Sequence, residues 1–309
     1  MKIAMLGCGS LGSTFGGVLT EAGFDVSMVN PKTDHIDAMI KKGLTLVEDG
    51  GERVVDVKVV IDPQEVGPVD LIIVLVKSNH TRAAMEGAGV LIDDKTVAMS
   101  LQNGIGNEEV LAEYLGAGQI LSGRTYVGGV LTEPGVVQAG IKGKETFLGE
   151  LDGSISERAE KIAAIFNESG LKTRLVSDIQ SLIWQKLLIN VSTGAICGIT
   201  GLPYGKLLQV PEAVQCAVAA VMEAMVVGSA AGVALDIQNP KEVLDRAVEG
   251  LPFDFKPSIL QDIERGLQTE IDFINGAVVR FGEKFDIETP VNRTLVAAVK
   301  GIESGFSRR

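Results

Sequence analysis

The chain has 309 residues, 46% of them hydrophobic and 22% charged, with a net charge of −12 at neutral pH. That length suits one large or two medium domains with an ample core, and the composition excludes a disordered, collagen-like or disulfide-scaffold chain. The acidic balance argues against nucleic acid or an anionic membrane as the main partner, and three cysteines and two histidines, none at metal-ligand spacing, point to a reduced, cytoplasmic protein with no metal centre.

Residues 2–6 read as a strand and lead into a helix that runs to about residue 22. Between them stands Gly7-Cys8-Gly9-Ser10-Leu11-Gly12, a G-x-G-x-x-G match in the strand-to-helix context that the motif requires. Gly7 permits the tight turn, Gly9 lets backbone approach a pyrophosphate, and Gly12 lets helix and strand pack closely, while the helix N-terminus faces the anion. This predicts a dinucleotide site. A second strand over 25–29 ends in Asn30-Pro31-Lys32, which has neither the acid that reads a ribose diol nor the arginine that reads a 2′-phosphate. Lys32 either meets that phosphate as a point charge or is a solvated loop lysine. The expected cofactor is therefore NADP, with NAD left open.

A helix around 35–42 and β-rich segments at 44–47 and 54–60 follow. Residues 70–76 form a β-branched run suited to a strand buried on both faces. Lys77 ends it, and Asn103-Gly104 follows a further strand at 96–100, so both stand where open α/β sheets bind ligands. Each also has a plain reading, as a solvated lysine and an ordinary turn. A strand at 119–123 and a hairpin of 136–138 with 145–148 complete the pattern. The βαβ alternation predicts a parallel sheet with right-handed crossovers.

Beyond residue 175 the periodicity is helical, over 179–190, 212–232, 241–249, 259–265 and 271–281. We expect an α/β fold of two domains: a dinucleotide-binding Rossmann-type domain over 1–175 and an all-helical substrate and catalytic domain over 176–309. The apolar run 216–235 approaches the length of a membrane span, but its central Glu223, its small residues and its acidic flanks indicate a buried core helix instead.

Lys186 and Asn190 lie one helical turn apart, hence on one face, and Leu-Leu-Ile follows the lysine at once. Reducing a ketone by hydride transfer needs an acid for the developing alkoxide, and desolvation makes an ammonium a readier proton donor. The bland alternative is a snorkelling lysine. Ser258-x-x-Gln261 and Thr269-x-x-Asp272 match capping boxes, with Gly266 able to end the first helix, so Ser258 and Glu270 each stand at a helix start. A break between Arg265 and Thr269 is predicted.

With these segments the chain resembles the ketopantoate reductase (2-dehydropantoate 2-reductase) family. GCGSLG at 7–12, VLVKSNH at 74–80, LQNGIGNEE at 101–109, IWQKLLIN at 183–190 and SILQDIERGLQTEIDFINGAVV at 258–279 carry the likeness, in order and over both domains. The resemblance implies NADPH-dependent reduction of ketopantoate to pantoate in the cleft between the domains, on the path to pantothenate and coenzyme A. It implies Lys186 as general acid, supported by Glu270, which also contacts the cofactor. Asn190 and Ser258 are then substrate contacts, Asn103 is shared between nicotinamide and substrate, and Lys77 and Gly129 are cofactor contacts. Two positions depart from the family pattern: Gly194 and Tyr204 stand where the family has asparagines that face the substrate's hydroxylated tail. The related D-2-hydroxyacid (mandelate-type) dehydrogenases, acting on another 2-oxo acid, are the alternative, and a dinucleotide-binding sensor without turnover is a third reading. A small 2-oxo acid is the expected partner. The oligomeric state is left open, a homodimer being one outcome.

Overall fold

A computed structural model describes residues 1–306. The chain forms two compact units: Met1–Gln102 with Asn107–Ile179, and Asn103–Gly106 with the chain from Gln180 onward.

The first unit is α/β. Its elements, in chain order, are β1 (Lys2–Leu6), α1 (Ser10–Glu21), β2 (Asp25–Val29), α2 (Asp34–Lys42), β3 (Leu44–Glu48), β4 (Gly51–Val55), β5 (Lys58–Val60), β6 (Leu71–Val74), α3 (Thr81–Gly87), β7 (Val97–Ser100), α4 (Asn107–Leu115), β8 (Ile120–Thr125), β9 (Gly128–Glu133), β10 (Val136–Gly140), β11 (Thr146–Glu150), α5 (Glu157–Glu168) and β12 (Thr173–Leu175). The large sheet has the order β12-β11-β8-β7-β6-β1-β2-β5. From β5 to β8 every neighbouring pair is parallel, and β11 joins antiparallel to β8. β6 and β7 are buried throughout, as their unbroken apolar runs require in a sheet covered on both faces. The chain leaves β1 towards β2 on one side and returns to β6 on the other, so the switch point of the sheet lies at the carboxyl end of β1.

A second sheet has the order β4-β3-β10-β9. The expected hairpin of 136–138 with 145–148 is corrected here. β10 pairs antiparallel with β9, whereas β11 leaves for the large sheet and pairs with β8. Both candidate partners alternate suitably; what decides is the Pro134-Gly135 turn, where Gly135 takes φ +81°.

The second unit is helical: α6 (Ile179–Thr200, beginning at the boundary), α7 (Tyr204–Leu207), α8 (Pro211–Ala230), α9 (Pro240–Val248), α10 (Ser258–Glu264), α11 (Asn275–Lys284) and α12 (Pro290–Glu303). Trp184 of α6 is buried, edge-on to Phe281 of α11 at 5.5 Å, and Gly228 of α8 passes close to its ring. These contacts fix the face of α6 that carries Lys186. α6 and α8 are both long and apolar enough to cross a membrane. α8 is not the fully buried helix that its sequence suggested: Met222 and Val226 are more than half exposed on its outward side.

Candidate active site

The glycine loop is built as its motif requires. Gly7 takes φ +96°, its N–H donates to the Val29 carbonyl at 3.2 Å, and a Cβ there would overlap the Val76 backbone. Gly12 lies against the Gly7 carbonyl, with no room for a side chain. Gly9 is the opposite case: a Cβ there would meet nothing within 4 Å. Gly9 is also the N-cap of α1, and no side chain caps that end. The loop therefore combines a forced turn, an open flank and uncapped helix amides, which fits a dinucleotide pyrophosphate. Cys8 points inward and is buried, and burial pushes its thiol well up from the usual range. Ser10 Oγ accepts the Leu131 N–H of β9 at 3.1 Å, which leaves its hydroxyl hydrogen to donate. Leu11 packs its side chain on the core of the first unit.

Asn30 closes the loop from the end of β2. Its Oδ1 accepts the Cys8 N–H at 2.9 Å and its amide donates to the Pro31 carbonyl. Lys32 is two-thirds exposed and only loosely paired with Asp37, at 3.6 Å. Lys77 is half-buried just beyond β6 and opens the turn Ser78–His80. Gly129, on β9, lies so close to the first turn of α1 that a Cβ would come 2.7 Å from Thr14 Oγ1 and 2.8 Å from the Ser10 carbonyl. Gln102 was not singled out in the sequence. Its amide donates to the Val76 carbonyl at 2.8 Å and to Thr81 Oγ1 at 2.7 Å, tying the exits of β6 and β7 together.

The second unit carries Lys186, Asn190, Ser258, Glu270 and the Asn103 loop. Lys186 and Asn190 are half-buried on α6, while Glu270 is 5% exposed. Residues 103–106 dock on the turn that follows Glu270: the Ile105 N–H donates to the Phe273 carbonyl at 2.9 Å, and Arg280 donates to the Ile105 carbonyl at 3.2 Å. Gly104, at φ +85°, fits directly against the Phe273 carbonyl. Asn103 is thereby held beside the segment that carries Glu270.

The predicted break is present. α10 ends at Glu264, Gly266 takes φ +68°, its N–H donates to the Ile263 carbonyl, and the Leu267 N–H donates to the Asp262 carbonyl at 2.9 Å. This is a Schellman stop. The restart differs from expectation. A single 3-10 turn, Ile271–Phe273, precedes α11, so 271–281 is not one helix. The Thr269 N–H is accepted by Glu303 of α12 at 2.8 Å rather than by Asp272, and Thr269 Oγ donates to the same carboxylate at 2.6 Å. Asp272 pairs with Lys300 instead. Ser258 is likewise no capping-box residue: it is the exposed first residue of α10, and the Gln261 amide donates to the Lys256 carbonyl.

Gly194 and Tyr204 have packing roles. A Cβ at Gly194 would lie 3.2 Å from Ile259 Cδ1, and one at Gly198 would lie 2.8 Å from both Ile259 and Ile263. α6 can therefore approach α10 only because these two positions lack side chains. Tyr204 is buried against Phe255 with ring centres 5.3 Å apart, and burial pushes its hydroxyl up to about 12. Both departures from the family pattern serve the segment that leads into Ser258.

The chain is similar to known proteins along its whole length. Residues 3–153 match the family described as ketopantoate reductase PanE/ApbA, and residues 178–303 match its C-terminal domain. A 2-dehydropantoate 2-reductase from Archaeoglobus fulgidus is 36% identical over 99% of both chains, and one from Halobacterium salinarum is 35% identical over 97% of this chain and 98% of that one. Among solved structures, a PanE/ApbA family ketopantoate reductase from Ralstonia eutropha aligns over the whole of both chains with a TM-score of 0.90 at 30% identity. A D-mandelate dehydrogenase solved with NADH and anilino(oxo)acetate has the same TM-score at 28% identity over 99% of each chain.

Proposed function

The chain belongs to the ketopantoate reductase family, and on that premise we propose that it reduces ketopantoate to pantoate with NADPH, with Lys186 as the proton donor. The observation that carries the reading is the docking of the Asn103 loop on the turn after the buried Glu270, in the same unit as the half-buried Lys186 and Asn190 one turn apart on α6. When bound, the reduced nicotinamide supplies a hydride to the C2 ketone. The residues of the chain handle the rest. The amides at the start of α1 and the open flank of Gly9 hold the pyrophosphate, with Lys77 and Gly129 as further cofactor contacts. Lys186 gives its proton to the oxygen as the alkoxide develops, and Glu270 orients the lysine. Asn190 and Ser258 hold the substrate, Ser258 at its carboxylate, and Asn103 orients both reactants.

Lys32 supports the preference for NADPH, since its loose pairing with Asp37 leaves an exposed cation on the loop after β2. Gly194 and Tyr204 do not weaken the choice of ketopantoate, because both positions are taken up in packing around α10. The acidic composition and the three unpaired cysteines support a cytoplasmic location. The exposed Met222 and Val226 on α8 support a homodimer, which sedimentation measures directly. Lys186→Ala tests the assignment: kcat falls by about 10²–10⁴ while dinucleotide affinity changes little. A kcat within threefold of wild type would remove Lys186 from its role.

A further inference from the structure

His35 lies outside the glycine motif, yet a buried chain of hydrogen bonds joins it to the loop. The Gly135 N–H at the β9–β10 turn donates to His35 Nδ1 at 2.8 Å. A backbone N–H only donates, so Nδ1 carries no proton and Nε2 does. Nε2–H then donates to Ser13 Oγ at 2.9 Å, and the Ser13 hydroxyl donates to the Cys8 carbonyl at 3.0 Å. His35 is 7% exposed and Ser13 wholly buried. The other side of the same residue is also fixed, because Asn30 accepts the Cys8 N–H.

This matters for the next peptide group. In a trans peptide the C=O and the following N–H point in opposite directions. Pinning the Cys8 carbonyl inward therefore turns the Gly9 N–H the other way, and Gly9 itself stands in the open, a Cβ there meeting nothing within 4 Å. We propose that His35 and Ser13 are positioning residues for the dinucleotide: acting in series from the β9–β10 turn, they set the Cys8–Gly9 peptide so that its amide faces the pyrophosphate. The inference rests on the dinucleotide reading of the loop.

Calorimetric titration of the full chain with NADPH tests it, using Ser13→Ala, His35→Ala, their double variant and His35→Gln, whose amide offers one acceptor and one donor. Losing one such bond is expected to raise Kd about tenfold in either single variant. Because the two residues form one series, the double variant should bind no more than about threefold worse than either single one. His35→Gln should return to within about threefold of wild type, and the KM for the 2-oxo acid should move far less than the dinucleotide Kd. Ser13→Ala removes only a hydroxyl and keeps the test valid should the histidine variants fold poorly. Unchanged Kd in the single variants, losses that multiply in the double variant, or no recovery with glutamine would each overturn the inference. A wild-type chain that binds no nicotinamide dinucleotide would overturn the underlying reading as well.

Discussion

Replacing Gly104 by alanine should cost catalysis far more than cofactor binding. Gly104 has φ +85°, where an alanine costs about 1–2 kcal/mol. Its new Cβ would also stand 2.8 Å from Phe273 Cβ and overlap the Phe273 carbonyl. Relief requires the loop and the turn to part by roughly 1 Å, a displacement that can cost about 100-fold when it disturbs reacting groups. Parting them also strains or breaks the bond from the Ile105 N–H to the Phe273 carbonyl, worth about 0.5–1.5 kcal/mol. The expected outcome is a loss of about 2–3 kcal/mol in denaturant unfolding and a fall of about 100-fold in kcat/KM for the 2-oxo acid. Most of the proposed cofactor contacts lie around the glycine loop in the other unit, so NADPH affinity measured by titration should fall far less than kcat/KM, by no more than the nicotinamide-side contact of Asn103 supplies. Wild-type kcat/KM in a folded Gly104→Ala chain would refute the claim that docking of residues 103–106 positions Asn103.

Burial lowers the pKa of His35, so its folded form resists protonation more than its unfolded form does. Its stabilising contribution is complete above about pH 6.5 and is lost as pH falls through the lower folded value. The denaturation midpoint should therefore drop on acidification below about pH 6.5, with a shallower drop in His35→Gln; equal slopes in both chains would contradict this. Gly194→Asn should lose about 1–3 kcal/mol of stability by crowding Ile259, without changing the ranking of 2-oxo acids by kcat/KM. An asparagine that is tolerated and raises activity on ketopantoate would instead put position 194 in the substrate site.

The parts of the molecule that announce themselves in sequence are those built by neighbours along the chain. Gly7, Gly9 and Gly12 act within one strand-to-helix turn, Lys186 and Asn190 within one helix turn, and Gly266 needs only the preceding helix to form its stop. What sequence could not supply was the choice of distant partner. Thr269 has an acid three residues on, but the carboxylate that accepts its N–H is Glu303, 34 residues away. β10 could pair with either flanking strand, and the positive-φ Gly135 turn selects β9. His35 reads as an unremarkable helix residue until a β-turn 100 residues later donates to its ring. The glycine at 194 looks like a lost polar contact until α10 is seen against it.

A reductase of this family must turn over a 2-oxo acid. Consumption of NADPH, followed with a panel of 2-oxo acids that includes ketopantoate, pyruvate and benzoylformate, tests it most directly. Turnover with kcat/KM highest for ketopantoate is expected. NADPH that binds yet is consumed with none of these acids would contradict it and leave a dinucleotide-binding protein without reductase activity.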